Sequence, residues 1–364
     1  MKNINDVRFD SLQALRTLAF LGVFLCHAGS TVHWSGFGVS IFFVMSGFLL
    51  YYLYEERVMN ISFWNNLKFS FSKIKKLYPL HIITTCGFIL LALLSIYRAG
   101  ITLKSIIDLL VKIVLNITLL QTWIPNSRIN TCLNGVTWYL SVAMFLYFVF
   151  PWICKLIKKI NKYMLLIIPA LILVAQVFGC VLVINKCGID SLVYKWFMYS
   201  FPIFRLGDFV IGCCLGKIYK KLRKIDINCI IGTIIEIVVI LITALVFIWR
   251  ESGQSTVFMK ALFNWTTVYI VLACLWIYMF AQRKGVITKL LSNKVMIYIG
   301  NISSYAFLIH YVITQYAITA IRYLNIQLSN PMKWGVIIFE LLLSIGLSIL
   351  YKKVEEKIKI CKSK

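Results

Sequence analysis

The sequence predicts an all-α membrane protein, a polytopic bundle of about ten transmembrane helices. Of its 364 residues, 60% are apolar and 14% are charged, whereas soluble proteins are about half apolar and a quarter charged. The mean hydropathy is +0.85. Ten apolar stretches are long enough to cross a bilayer as helices: residues 12–29, 36–54, 80–97, 136–153, 163–184, 199–216, 228–249, 262–281, 298–320 and 334–351. No repeat or linker divides the chain, so we predict one membrane-embedded domain over residues 1–364.

The distribution of basic residues predicts the orientation of these spans. An eleventh apolar run, residues 105–122, is interrupted by Asp108 and Lys112. If it does not span, the lysine- and arginine-rich segments between the other runs all lie on one side, which the positive-inside rule makes the cytoplasm. We therefore predict that 105–122 is an interfacial or re-entrant helix on the outer face. Both termini are then cytoplasmic, and residues 352–364 form a basic cytoplasmic tail. Topology thus explains most of the +25 formal charge, and nucleic acid is not expected as a partner.

The first apolar run carries two ionisable residues, Arg16 and His27. It lacks a convincing signal-peptide cleavage site at its far end, so we predict that it is retained as the first helix. Eleven residues at about 100° each leave the two side chains within about 20° of one face and roughly 16 Å apart along the axis. Ionisable groups within a span are costly and therefore functional candidates. The alternative is an interfacial histidine and a snorkelling arginine.

Further polar residues lie within the later predicted spans. Arg205 and Asp208 are one helical turn apart and could neutralise each other. His310 lies in the middle of a span, where a structural hydrogen bond and a ligand-binding role are both open. We interpret the single acids Glu236 and Glu340 as paired structural groups.

The second predicted helix begins with a segment rich in small residues. Glycine or serine stands at positions 36, 38, 40, 46 and 47. Small residues permit close backbone approach between membrane helices, but they could equally leave a slot for a ligand.

A candidate anion site precedes the third predicted helix. Lys73, Lys75 and Lys76 stand at the cytoplasmic surface, just before Pro79 would start a helix. The alternative interpretation is ordinary positive-inside charge or contact with lipid headgroups.

The eleven cysteines show no metal-ligand spacing, and four unclustered histidines make a metal site unexpected. Most of the cysteines stand in or beside spans and are interpreted as helix-packing residues. Cys132, Cys180 and Cys187 lie on or near the predicted outer side, where pairing is an open alternative.

At these positions the sequence resembles the acyltransferase 3 family, integral-membrane enzymes that acylate surface sugars and related molecules. The resemblance covers nearly the whole chain and rests on six motifs in the family's order. They are Leu15-Arg16 to Ala19 with His27; Gly38 to Phe48, which contains Ser46; Lys73 and Lys76 before Pro79; Trp138 to Ser141 with Tyr147 and Pro151; Phe204-Arg205 with Gly212; and Ser304-Tyr305 with His310.

The resemblance implies transfer of an acyl group, most often acetyl, from cytoplasmic acyl-CoA to a hydroxyl of an envelope polysaccharide, glycolipid or related acceptor. It also implies a multi-pass protein of the bacterial plasma membrane, in contact with membrane lipid. No bound cofactor and no fused hydrolase-like domain are expected.

The resemblance also implies roles for individual residues. His27 would be the general base, with Arg16 as its essential companion. The implied donor-binding residues are Lys73, Lys76 and Arg205, and the implied substrate-pocket residues are Ser46, Trp138, Ser141, Tyr147 and His310.

Four positions depart from the family pattern. Lys73 and Lys76 replace an arginine pair, which keeps the charge but loses bidentate phosphate geometry. Ala143 stands where many members have glutamate, and Gln13 replaces a common aspartate. Two other function classes therefore stay open: an inactive member acting in a complex, and a transporter or permease. Transporters often show internal repeats and broken helices, neither of which is clear in this sequence.

Overall fold

The computed structural model describes residues 9–30, 34–57, 61–222, 227–251, 256–263 and 266–363. Over these ranges the fold is all-α and contains no strand. The helices are α1 (Asp10–His27), α2 (Ser35–Tyr54), α3 (Phe63–Ile74), α4 (Tyr78–Ala99), α5 (Leu103–Ile117), α6 (Ser127–Asn130), α7 (Trp138–Lys159), α8 (Met164–Cys187), α9 (Leu192–Tyr199), α10 (Pro202–Leu222), α11 (Cys229–Glu251), α12 (Val257–Leu262), α13 (Thr267–Gln282), α14 (Val286–Leu291), α15 (Lys294–Tyr323) and α16 (Asn330–Ser363). Short 3-10 helices cover Glu55–Arg57, Gln121–Trp123 and Gly135–Thr137.

Each of the ten apolar runs lies on a helix: α1, α2, α4, α7, α8, α10, α11, α13, α15 and α16. Seven helical stretches among the described residues are long and apolar enough to cross a membrane: Ser35–Arg57, Tyr78–Ala99, Gly135–Lys159, Met164–Cys187, Cys229–Glu251, Lys294–Tyr323 and Asn330–Lys359. α13 is apolar but shorter, and α1 and α10 carry charged side chains along their length. The protein is therefore a multi-pass membrane protein, while the count of ten spans and the cytoplasmic termini stay predictions.

The bundle has a buried centre and a lipid-facing periphery. α2 is central and packs against α1, α10 and α13. Of the most apolar 18-residue stretch of this helix, 72% is buried. α1 also packs along α15. In α4, α8, α11 and α16, at most 28% of the most apolar 18-residue stretch is buried. The side chains that these helices expose are mainly apolar. An apolar exterior is stable only in lipid, so these helices form the outer layer.

Glycines allow α2 and α10 to pack in close contact. A Cβ atom at Gly47 would lie 2.1 Å from the Phe209 carbonyl oxygen, and one at Gly212 would lie 2.0 Å from the Val44 carbonyl oxygen. The small residues of α2 thus serve close backbone approach, one of their two predicted roles. This contact fixes the position of Ser46, which lies directly before Gly47.

The segment predicted as interfacial, residues 105–122, comprises most of α5 and the start of the next 3-10 helix. A capping box between Thr102 and Ser105 starts α5. Near its end, the backbone carbonyl of Asn116 accepts a hydrogen bond from His81 Nε2, and its side-chain oxygen accepts one from the Thr137 hydroxyl. These bonds tie α5 to α4 and to the start of α7. Its depth in the bilayer stays a prediction.

Candidate active site

A cavity of about 250 Å³ lies between α1, α2, α7 and α15, with α3 at one end. Its walls are mainly apolar, and its polar lining consists of a few side chains: Arg16, Ser46, Lys73, Tyr139, Tyr147, Ser303 and Ser304. Arg16, Ser46, Lys73 and Tyr147 were among the predicted site residues, so the fold brings four of them together.

The middle of the cavity holds an arginine beside two tyrosines. Arg16 is an electrostatic neighbour of Tyr139 and Tyr147, and its buried Nε atom has no hydrogen-bond partner among the described residues. Ser46 Oγ donates to the Phe42 carbonyl at 2.8 Å and interacts with both tyrosine side chains. A buried guanidinium N–H without a partner is costly, so this position suits an anionic or carbonyl-bearing ligand.

Lysines stand at the α3 end of the cavity. Lys73 lines it, and its ammonium nitrogen lies 3.6 Å from the centroid of the Tyr54 ring. Lys76 is not a lining residue; its nitrogen lies 5.0 Å from the Tyr305 ring centroid, and Glu355 is an electrostatic neighbour. Of the two predicted donor lysines, the structure therefore places Lys73 at the cavity and Lys76 beside it.

The other end of α1 carries a histidine pair. His27 Nδ1 lies 3.0 Å from His310 Nε2, and His310 Nδ1 lies 3.0 Å from the Ala306 carbonyl oxygen. His310 is fully buried, while His27 is partly exposed. A carbonyl oxygen only accepts, so His310 Nδ1 carries a hydrogen and, in the neutral ring, Nε2 is the acceptor. His27 Nδ1 must then donate, which leaves the His27 Nε2 lone pair available as a base.

Phe307 lies between the cavity and the histidine pair. It lines the cavity, and its ring centroid lies 5.8 Å from that of His310. Tyr311 packs edge-on against His27 at 5.1 Å. Phe307 therefore forms part of the wall between the cavity and the histidine pair, and α1 runs past both.

The comparison with known proteins identifies the family. A family model described as "Acyltransferase domain", that of acyltransferase 3, matches residues 9–352. The chain belongs to the acyltransferase 3 family. "Acyltransferase MdmB" of Streptomyces mycarofaciens is 29% identical over an alignment of 239 residues, and the alignment covers 59% of this chain and 58% of MdmB. The chain thus spans less than two thirds of the length of this curated relative. No solved structure matches the chain. The family resemblance read from the six motifs is confirmed.

The Phe-Arg motif of this acyltransferase 3 member does not reach the cavity. Arg205 is fully buried, pairs with Asp208 at 2.8 Å and donates from Nε to the Tyr199 carbonyl at 2.7 Å. The rings of Phe43, Trp138 and Tyr199 surround its guanidinium at 5.4 to 5.7 Å. A cation enclosed in this way is held by its neighbours. We therefore leave Arg205 out of the proposed donor site and assign it to packing between α7, α9 and α10.

The Trp-x-Leu-Ser block divides between two faces of α7. Trp138 packs against Tyr199 with ring centroids 4.5 Å apart and 46° between the ring planes. Ser141 Oγ donates to the Leu119 carbonyl and contacts the Thr122 hydroxyl. Neither side chain lines the cavity, contrary to the expected pocket. Tyr139, which was not predicted, does line it, because it lies on the same face as Tyr147.

The single acids are structural, as predicted. Glu236 accepts hydrogen bonds from the backbone N–H groups of Ile287 and Thr288, and therefore caps the start of α14. Glu340 accepts a hydrogen bond from the Thr314 hydroxyl at 3.1 Å.

Cys132, Cys180 and Cys187 form no disulfide bond in the structure. Cys132 Sγ accepts a hydrogen bond from the Asn116 amide, and Cys180 is fully buried while Cys187 is exposed. Burial raises the pKa of the Cys132 thiol, which keeps it protonated and unreactive. Within the described ranges, no group of three or more His, Cys, Asp or Glu side chains could hold a metal ion.

Proposed function

We propose that the protein is an O-acyltransferase that moves an acyl group, most often acetyl, from cytoplasmic acyl-CoA to a hydroxyl of an envelope glycan or glycolipid. One observation supports the proposal: α1 brings Arg16 into a cavity that has Lys73 at one end, and carries His27, hydrogen-bonded to His310, beyond the other end. Family membership and the name of MdmB support acyl transfer as the reaction class.

The cavity suits the donor in both shape and charge. The phosphates of acyl-CoA are anionic and do not enter lipid, so they require cations at the cytoplasmic surface. Lys73 supplies one at the cavity and Lys76 a second nearby. The neutral pantetheine arm and acyl group would occupy the apolar walls, and the unpartnered Arg16 Nε would donate to the thioester carbonyl or an amide oxygen of the arm. No cofactor is required for this reaction.

The chemistry follows from the histidine pair. The acceptor hydroxyl oxygen attacks the thioester carbonyl carbon while His27 Nε2 takes the hydroxyl proton. The C–S bond breaks as the C–O bond forms, and the CoA thiolate takes the proton from the imidazolium. The products are an ester and CoA thiol, with no net change in protons. His310 holds the His27 tautomer and orients its ring, as the orienting partner of a base does in other acyl-transfer enzymes. An acyl-enzyme step before this transfer stays open.

A labelled-donor assay tests the proposal. Membranes carrying the wild type, His27→Ala or the control Lys68→Ala receive acetyl-CoA labelled in the acetyl group. Lys68 is exposed on α3 and does not line the cavity. We expect label in envelope glycan with the wild type and Lys68→Ala, and a loss of at least about 100-fold with His27→Ala. Equal labelling by wild type and His27→Ala would exclude the histidine as base. No labelling by either, with acceptor movement across the membrane intact, would favour a transporter.

A further inference from the structure

A second cavity, a cleft of about 540 Å³, lies far from the lysines of the donor cavity. It is lined by residues of α6, the α8–α9 connection, α9, the end of α11 and α12. In the predicted orientation all these elements lie on the outer face, whereas Lys73 lies on the cytoplasmic face. The cleft shares no lining residue with the donor cavity.

The charges of the cleft are nearly balanced. Lys195 faces Asp190 at 3.8 Å, Arg250 pairs with Glu251 at 3.2 Å, and Lys260 is the fifth charged residue of the lining. In a chain of formal charge +25 this balance is unusual. The charged pairs, together with hydroxyl-bearing side chains such as Ser127 and Thr131, offer both donors and acceptors. A balanced mixture of donors and acceptors suits a polyhydroxylated ligand of low net charge better than an anionic donor.

Aromatic side chains complete the cleft and connect it to the base. Tyr194 and Tyr199 both line the cleft. Tyr199 is also an electrostatic neighbour of Cys26 and of Tyr311, and Tyr311 packs against His27. Tyr199 therefore relates the cleft to two residues close to His27: Cys26, which precedes it in the chain, and Tyr311, which packs against its ring.

We propose that this cleft binds the acyl acceptor as a carbohydrate of low net charge, with Tyr199 at the end nearest His27. The inference rests on the proposed acyltransferase function and adds to it a binding site for the acceptor. It assigns donor and acceptor to separate cavities, which lie on opposite faces in the predicted orientation.

Steady-state kinetics on the full-length protein test the acceptor site. The acceptor probe is the polysaccharide fraction of the cell envelope, and the donor is labelled acetyl-CoA. Thr131→Trp fills the cleft with an indole, while Thr118→Trp places the same indole at an exposed threonine of the same outer region that does not line the cleft. Both hydroxyls donate to a carbonyl four residues earlier in the chain, so the two variants are matched. Lys195→Ala removes one charge without adding bulk.

We expect Thr131→Trp and Lys195→Ala to raise the acceptor KM at least fivefold, with an unchanged acetyl-CoA KM, and Thr118→Trp to behave as the wild type. If the wild type transfers label and both cleft variants keep its acceptor KM, the cleft is not the acceptor site although the proposed function stands. If the wild type transfers no label, the proposed function fails.

A binding measurement tests the cleft even if the wild type transfers no label. Thr131→Cys and Thr118→Cys proteins in detergent are treated with a maleimide, and modification at each residue is followed by mass spectrometry. We expect the polysaccharide fraction to slow modification of the residue at position 131 at least threefold and to leave position 118 unaffected. Equal rates with and without polysaccharide at position 131 would overturn the site.

Discussion

His27 and His310 share a hydrogen bond of 3.0 Å between Nδ1 and Nε2, and their rings are nearly parallel, with 12° between the planes. The two residues stand on α1 and α15, 283 positions apart in the chain. Because His310 Nδ1 is engaged by the Ala306 carbonyl, the direction of both bonds is set. The pair therefore orients one basic nitrogen, His27 Nε2.

Replacement of His310 tests this orientation. In His310→Phe, the His27 Nδ1 hydrogen loses its acceptor, so both the tautomer and the ring position are freed. We expect kcat for acyl transfer to fall about 10- to 100-fold, with an unchanged acyl-CoA KM. Losses of this size follow when the hydrogen-bond partner that orients a metal-binding histidine is removed.

His310→Gln serves as the conservative variant, since its amide oxygen can still accept from His27. We expect it to recover part of the activity. The pH profile gives a second readout: a base must be neutral, so kcat/KM falls as the pH is lowered, and its inflection should move in His310→Phe. Loss of activity with an unshifted profile and no recovery in His310→Gln would indicate a packing role alone.

Lys73 provides the donor prediction. It stands at the cavity mouth, so Lys73→Ala should raise the acyl-CoA KM about tenfold with a small change in kcat. Lys73→Arg should restore most of the affinity, because it keeps the charge. Lys68→Ala, on the same helix but outside the cavity, is the control. An acyl-CoA KM equal to that of Lys68→Ala would remove Lys73 from the donor site.

The buried pair of Arg205 and Asp208 gives a stability prediction. Both side chains are fully buried, so removal of one leaves an uncompensated charge. We expect Arg205→Met or Asp208→Leu to lower the free energy of unfolding by about 3–5 kcal/mol, and the double variant to recover much of the loss. Thermal unfolding in detergent measures this. Folded Arg205→Met with a normal unfolding temperature and a raised acyl-CoA KM would restore Arg205 to the donor site.

The contact between α2 and α10 gives the last prediction. A methyl group at Gly212 would lie 2.0 Å from a backbone carbonyl oxygen, which cannot move without separating the helices. We expect Gly212→Ala to destabilise the protein by about 1–3 kcal/mol. Gly346→Ala in α16 is the matched control, since a Cβ added at Gly346 would have no packing neighbour within 4 Å. Equal unfolding temperatures for the two variants would contradict the close approach.

Several features of the fold were predictable because they depend on local composition. Helices formed at all ten apolar runs, since a chain in lipid must satisfy its backbone hydrogen bonds within each segment. The sequence also predicted that α1 carries functional residues. Arg16 and His27 are ionisable side chains that cost free energy within a membrane span, and they share one face of the helix.

The residues of one predicted motif do not all line the cavity, because they lie on different faces of the helix. Ser141 and Tyr147 are six positions apart, which at about 100° per residue places them about 120° apart around α7. The structure accordingly sends Tyr147 into the cavity and Ser141 toward Leu119. Helical spacing alone would have grouped Tyr139 with Tyr147, since Ala143 lies one turn from each.

By itself, the sequence determined the all-α membrane architecture, the family and the two polar residues of α1, because hydropathy and residue spacing act locally. Only the tertiary structure decided the partners of those residues. That His310 orients His27, that Arg205 is enclosed by aromatic rings, and that Lys73 rather than Lys76 lines the cavity all depend on contacts between helices far apart in the chain. Such contacts arise from close packing at positions such as Gly47 and Gly212, and no local pattern specifies which helices meet there.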